Sequence, residues 1–216
     1  MTVKEPRATE EERVAVPVGE AGVDREELPL DVRVEFWFET FPWFPAFTTG
    51  LGAFVLGYLG LFAVAVAGSL SLPEGNLPVR AGFLFYNAHN VVVTGLTTAL
   101  PDGIPLTMNY LPMVEHTLLL RFYPAVVLTV ASALFTFFRV PIRRSMGATL
   151  ATGMAIATGY VLIALAGTFA FSLQVDNILY QPSRAGTLVS LLCYGLFCGV
   201  GGSLCGQAVI GAVSGE

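Results

Sequence analysis

Four long apolar runs constrain this chain more than any other feature of its sequence. Each run can cross a hydrocarbon layer of about 30 Å at a rise of about 1.5 Å per residue. Inside lipid a backbone must satisfy its own hydrogen bonds, so runs of this length form helices. The predicted spans cover roughly residues 46–70, 118–138, 148–171 and 187–213. The expected fold class is therefore all-α, a multi-pass transmembrane helical bundle with four spans.

Charge divides the sequence into two regions. Residues 1–40 hold 11 of the 16 acidic and 5 of the 11 basic residues, a local net charge of −6. This pattern predicts a disordered acidic tail over residues 1–40, which ends in the start of an aromatic interface anchor, and a membrane domain over residues 41–216. Lys4 is the only lysine in the chain, which fits either a salt-loaded cytoplasm or a GC-rich genome. A basic footprint for nucleic acid is missing.

Three arginines between the second and third spans set the predicted orientation. Arg139, Arg143 and Arg144 follow one another closely, and cytoplasmic loops carry such an excess of basic residues. The prediction is a multi-pass protein of the cell membrane with both termini cytoplasmic and residues 71–117 outside. An alternative topology makes residues 81–100 a fifth span. That span would carry Asn87, His89 and Asn90 near its centre, and the acidic tail would have to cross the membrane without a signal peptide.

The external segment contains the polar stretch that stands out most. On a helical wheel, Asn87 and Asn90 share an arc with three threonines, and large apolar residues occupy the other side. This pattern predicts an external amphipathic helix over about residues 82–100, which lies along the membrane surface or caps the bundle. Both asparagines are then expected to face water.

His89 lies on the apolar side of that predicted helix. One interpretation is a packing histidine with a hydrogen bond to a backbone carbonyl, because a buried imidazole needs a partner. The other is a proton or ligand site at the outer mouth. The candidate cluster for such a site is Tyr86, Asn87, His89, Glu115 and His116. Two histidines and a glutamate could hold a metal, but no metal and no cofactor is predicted.

The spans are poor in ionisable side chains and rich in small ones. Arg121, at the edge of the second span, is their only charged residue, which argues against an ion-coupled transporter. Small residues let helices approach closely, either within the bundle or against a partner. The predicted helix-packing residues are Gly195, Gly199, Gly202 and Gly206. Motifs for catalysis are missing, so the chain is predicted not to be an enzyme.

Two stretches carry a resemblance to a known group of proteins. The glycine-rich "GAFVLGYLG" of the first span and "GFLFYNAHNV", Gly82 to Val91, resemble an uncharacterised family of small four-span membrane proteins from halophilic archaea. Tyr86, Asn87 and His89 are the matching positions, and the resemblance covers about residues 46–213. It implies a class of membrane protein, a domain of unknown function, and no mechanism.

Three functions are compatible with this sequence. The first is a non-enzymatic scaffold or accessory subunit of a membrane complex, with the lipid bilayer and either a second copy or a partner membrane protein as its contacts. The second is a passive channel or transporter component. The third is an outer-surface pH sensor in which His89 titrates near the ordinary pKa of an imidazole.

Overall fold

The computed structural model describes residues 41–68, 76–96, 106–114, 117–139 and 145–214. The chain from Pro42 onward forms one compact unit. Outside the described residues lie the predicted acidic tail, Trp37 of the aromatic anchor, Arg143, Arg144, and two members of the candidate cluster, Glu115 and His116. The helices are α1 (Trp43–Val66), α2 (Leu77–Ala88), α3 (Thr117–Arg139), α4 (Met146–Ala170), α5 (Arg184–Tyr194) and α6 (Gly201–Ser214).

Four helices are long and apolar enough to cross a membrane, as the sequence predicts. They are α1, α3, α4 and a fourth that runs from Arg184 to Val213. In the fourth, a π-helical turn over Gly195–Val200 joins α5 to α6. The observed ends lie within about four residues of the predicted ones. The competing fifth span does not form, because α2 has only 12 residues and a crossing helix needs about 20.

The expectation of an all-α fold is wrong in one respect, because the connections between helices contribute four strands to a small antiparallel sheet. Its strands are β1 (Val93–Leu96), β2 (Leu106–Met108), β3 (Leu173–Val175) and β4 (Ile178–Pro182), in the spatial order β2-β1-β4-β3. Thr94 of β1 pairs with Thr107 on one side and with Gln181 on the other. The sheet therefore joins the connection that follows α2 to the connection between α4 and α5.

The predicted amphipathic helix over residues 82–100 is also wrong. The helix begins earlier, at Leu77. It is capped by Asn76, whose side chain accepts a hydrogen bond from the Val79 amide, and Pro78 occupies its first turn. It ends at Ala88, because Asn90 adopts a positive φ of 60° that reverses the chain. The β-branched residues that follow then extend into β1. All eight residues from Ala81 to Ala88 are buried, so this part of the helix has no exposed side.

Helix α2 enters the bundle from the end at which α4 terminates. Three successive contacts show the direction. Gly82 packs against the Phe171 ring, the Tyr86 hydroxyl bonds to the Ala164 carbonyl, and His89 bonds to Tyr160. Tyr160 lies ten residues before the end of α4, which is about 15 Å along the helix axis. The C-terminal end of α2 therefore reaches a level near the middle of α4.

Candidate functional site

The deepest point that α2 reaches is His89, which caps its C-terminal end. The imidazole is 1% exposed. Its Nδ1 lies 2.7 Å from the Phe85 carbonyl oxygen and its Nε2 lies 2.7 Å from the Tyr160 hydroxyl. A carbonyl oxygen only accepts, so Nδ1 carries the proton and donates it to Phe85. In a neutral ring, Nε2 then accepts from the Tyr160 hydroxyl.

Apolar burial holds this ring in its neutral form. Burial lowers the pKa of His89 from 6.5 to about 4, and the hydrogen bond with the Phe85 carbonyl opposes this shift without cancelling it. Aromatic rings surround the imidazole, with centroids 4.7 Å away at Phe85 and 5.3 Å away at Tyr194. These observations argue against the function of an outer-surface pH sensor that uses His89, because the ring is inside the protein and its pKa is well below 6.5.

Each carbonyl at the C-terminal end of α2 has a donor. The Phe85 oxygen accepts from the His89 ring, and the Tyr86 oxygen accepts from the amides of His89 and Val91. The Asn87, Ala88 and His89 oxygens accept from the Asn90 amide, the Tyr194 hydroxyl and the Ser190 hydroxyl. A helix normally ends with orphan carbonyls that carry partial negative charge. Here those groups are satisfied by the protein, which seals the end of α2.

Tyr86 and Asn87 also have internal partners. The Asn87 side chain donates to the Val91 carbonyl and accepts from the Tyr110 amide, both at 2.8 Å. The Tyr86 hydroxyl donates to the Ala164 carbonyl, and burial raises the pKa of Tyr86. The expectation that both asparagines face water is wrong for Asn87, which is buried, whereas Asn90 is exposed.

The candidate cluster is brought together only in part. Tyr86, Asn87 and His89 lie at one end of α2, and Glu115 and His116 lie outside the described residues. Within the described ranges, no group of three or more His, Cys, Asp or Glu side chains is arranged to hold a metal ion. The geometry is that of a packed polar junction, with hydrogen bonds directed to the backbone.

The four predicted packing glycines all face neighbouring helices of the same chain. A Cβ on Gly195 would lie 2.9 Å from the Ala157 side chain, and one on Gly199 would lie 2.9 Å from the Gly153 carbonyl. Gly202 and Gly206 meet the backbone carbonyls of Thr129 and Ala133 on α3. These close approaches let α6 pack directly on α3, and the π-helical turn on α4.

Other residues of the site do not stand out in the sequence. Tyr160, Ser190 and Tyr194 bond to the end of α2, although all three lie within long apolar runs. The sequence contains one signal for the two tyrosines, because a phenol inside an apolar span needs a hydrogen-bond partner for its hydroxyl.

A second set of polar groups lies between α3 and α6. The buried hydroxyls of Ser132, Thr136 and Ser203 have no hydrogen-bond partner among the described residues.

A further set of small residues faces outward on α6. Cys205, Ala208 and Ala212 are exposed, and a Cβ on Gly201 would meet no described atom within 4 Å. Their spacing of i, i+4, i+7 and i+11 places them along one stripe of the helix. We call these four residues the outer α6 stripe.

Comparison with known proteins gives one finding about the family and none about activity. Residues 40–209 match the model of a family described as a family of unknown function, DUF7978. Neither a curated protein nor a solved structure matches the chain.

Proposed function

The chain belongs to the DUF7978 family, and from its geometry we propose that it is a non-enzymatic scaffold or accessory subunit of a membrane complex. The observation that carries this proposal is the outer α6 stripe. Helices associate in lipid through small residues that let their backbones approach. The inward glycines of α6 already pack on α3, whereas the outer stripe remains uncovered within the described residues.

The interior supports a structural role. His89 is neutral, and its polar neighbours bond to one another or to the backbone. A general acid or base needs a pKa near the working pH and access to a substrate. His89 has neither property, because it is buried and its pKa is about 4. The described interior is therefore suited to fixing the relative positions of helices, which is what a scaffold requires.

We also propose that the protein lies in the cell membrane with both termini cytoplasmic. The arginines between α3 and α4 support this orientation through their preference for the cytoplasmic side. With the bundle placed in this way, the sheet is at the outer end and α2 enters the bundle from that end. The acidic, lysine-poor sequence supports a halophilic archaeal source.

Purification in mild detergent from native membranes tests the scaffold proposal. The native mass and the identity of co-purifying chains are the measurements. A stoichiometric partner is the expected result, and Ala208→Leu together with Ala212→Leu should release it, because larger side chains fill the stripe. The matched control is Val126→Leu, on an exposed face of α3. A chain that purifies alone, with the same mass in the wild type and the α6 variant, contradicts the proposal.

The native thiol of Cys205 provides an independent readout. In a variant with Cys193→Ala and Cys198→Ala, a bifunctional thiol reagent should crosslink Cys205 to a partner in native membranes. A crosslink to a second copy of this chain would identify the complex as a homo-oligomer. A crosslink to another protein would identify the accessory role.

A second candidate is a passive channel or transporter component. The observation that favours it is α2, a short helix that enters the bundle and ends near its middle. Channels and transporters place broken or re-entrant helices in this way. Ion and solute flux into liposomes that contain the purified protein is the test. Flux that disappears in Tyr160→Phe would favour a channel. If liposomes with the protein show no more flux than protein-free liposomes, the channel function is excluded.

A further inference from the structure

An apolar groove runs between α4 and α5 on the outside of the bundle. Its volume is about 210 Å³, its floor is formed by Ala157 and Gly195, and its walls are formed largely by leucines, among them Leu162, Leu188 and Leu192. Small residues at the floor and large residues at the rim create the depression. The groove therefore follows from the side-chain sizes on two adjacent helix faces.

The chemistry of the groove excludes a polar occupant. Its one hydroxyl belongs to Thr158, which already donates to the Met154 carbonyl at 2.9 Å. Compact ligand pockets usually have volumes of roughly 300–1,000 Å³ and a few convergent polar groups. This groove is smaller and offers no such groups, so it fits one slender apolar chain.

The length of the groove fits one leaflet of a bilayer. On α4 its lining extends from Met154 to Leu165. Eleven residues correspond to about 16 Å of helix axis. Half of a hydrocarbon core of about 30 Å is close to this length. An acyl chain that enters at Leu165 would therefore lie in the groove down to the middle of the bilayer.

A guanidinium lies beyond the upper end of the groove, next to its lining in sequence. Arg184 lies one helical turn before Leu188 and Phe169 lies one turn after Leu165, so both continue the faces that form the walls. The Arg184 guanidinium carbon lies 4.1 Å from the Phe169 ring centroid, so the cation bridges α5 and α4 about one turn beyond the lining residues Leu188 and Leu165. The side chain is exposed. It is also the first residue of α5, where the helix dipole favours an anion.

We propose that this groove binds one anionic phospholipid, with an acyl chain along the leucine walls and the phosphate on Arg184. Arginine binds phosphate oxygens through a planar fork of donors. Charge complementarity at one end and apolar fit along the rest together specify a lipid of this class. The site is separate from the outer α6 stripe, and it does not depend on the scaffold role.

Native mass spectrometry after reconstitution tests the proposal. The protein is placed in nanodiscs of phosphatidylcholine with a minor share of phosphatidylglycerol, and lipids that remain bound after release are identified. The wild type should retain one phosphatidylglycerol. Arg184→Gln should lower that retention about fivefold, since one basic residue near an anionic lipid contributes about 1 kcal/mol. Thr158→Phe should abolish it by filling the groove.

Two controls keep the outcome interpretable. Arg121→Gln removes an exposed arginine near the start of α3, outside the groove lining, and Val126→Phe adds a ring to an exposed face of α3. Both should leave retention unchanged. Equal retention of the two lipids by the wild type would overturn the proposal, as would full retention in Thr158→Phe. Neither result would bear on the partner expected at the outer α6 stripe.

Discussion

At the scale of single residues, His89 shows what sequence reasoning could and could not provide. A histidine on an apolar face needs a hydrogen-bond partner, and a backbone carbonyl was one of the two interpretations. The Phe85 carbonyl, four residues earlier, is such a local partner. Tyr160 is 71 residues away. No local pattern predicts that contact, because it depends on how α2 and α4 are packed.

The hydrogen bond between His89 and Tyr160 should stabilise the protein measurably. Tyr160→Phe leaves the buried Nε2 without a donor, which should lower the free energy of unfolding by about 2 kcal/mol. His89→Ala should cost more, because it also creates a cavity. Thermal unfolding in detergent of both single variants and the double variant gives the coupling between them. If the two effects add without coupling, the two side chains do not bond.

Acid should destabilise the fold through His89. The pKa of this ring is about 4 in the folded protein and 6.5 is its ordinary value. Between those values the unfolded chain binds more protons, so the free energy of unfolding falls as the pH drops from 6.5 towards 4. The loss is roughly 3 kcal/mol at most, at about 1.4 kcal/mol per pKa unit. Melting temperatures across this pH range should fall less steeply in His89→Gln than in the wild type.

Ser203 should behave in the opposite way to Tyr160. Its buried hydroxyl has no partner in the described part of the chain. Removing an unpaired buried polar group relieves its desolvation cost, and alanine favours a helix. Ser203→Ala should therefore raise the melting temperature or leave it unchanged. A loss of more than about 1 kcal/mol would mean that the hydroxyl binds an ordered water or a ligand.

At the scale of elements, the long helices could be predicted and the short ones could not. Hydrophobic runs long enough to cross a bilayer identify α1, α3, α4 and the helix from Arg184 to Val213, because length and composition are sufficient to recognise such helices. The prediction for α2 is wrong because a helical wheel shows the periodicity of the polar residues and not which protein groups lie around them. Its polar residues face protein partners such as the Tyr110 amide. Strand β1 depends on pairing with Leu179 and Tyr180, more than 80 residues later.

Two glycines of α1 should respond differently to substitution by alanine, because only one of them packs against α4. A Cβ on Gly50 would overlap the Ile156 carbonyl oxygen, whereas one on Gly52 would meet no described atom within 4 Å. Gly50→Ala should therefore separate the helices and destabilise the protein by several kcal/mol. Gly52→Ala should stabilise it by up to about 1 kcal/mol. Thermal unfolding of the two variants in the same detergent checks this, and equal effects would contradict the packing.

At the scale of the whole molecule, the proposed topology can be tested at the two ends of α4. Asp176 lies in the turn between β3 and β4, and Ser145 caps the start of α4. In a background with all three native cysteines replaced by alanine, Asp176→Cys should react with a membrane-impermeant maleimide in intact cells. Ser145→Cys should react only after permeabilisation. The reverse pattern would place both termini outside.

The sealed end of α2 has a consequence for how the chain is made. The donors that close it, Tyr160, Ser190 and Tyr194, all follow α2 by at least 70 residues, and β4 is also made late. During synthesis, the last carbonyls of α2 therefore stay without their partners until the fourth long helix has left the ribosome, although Phe85 and Tyr86 can already pack on Phe54 of α1. The final seating of α2 should therefore come last in folding, and a chain that stops before residue 190 would leave the end of α2 unsealed.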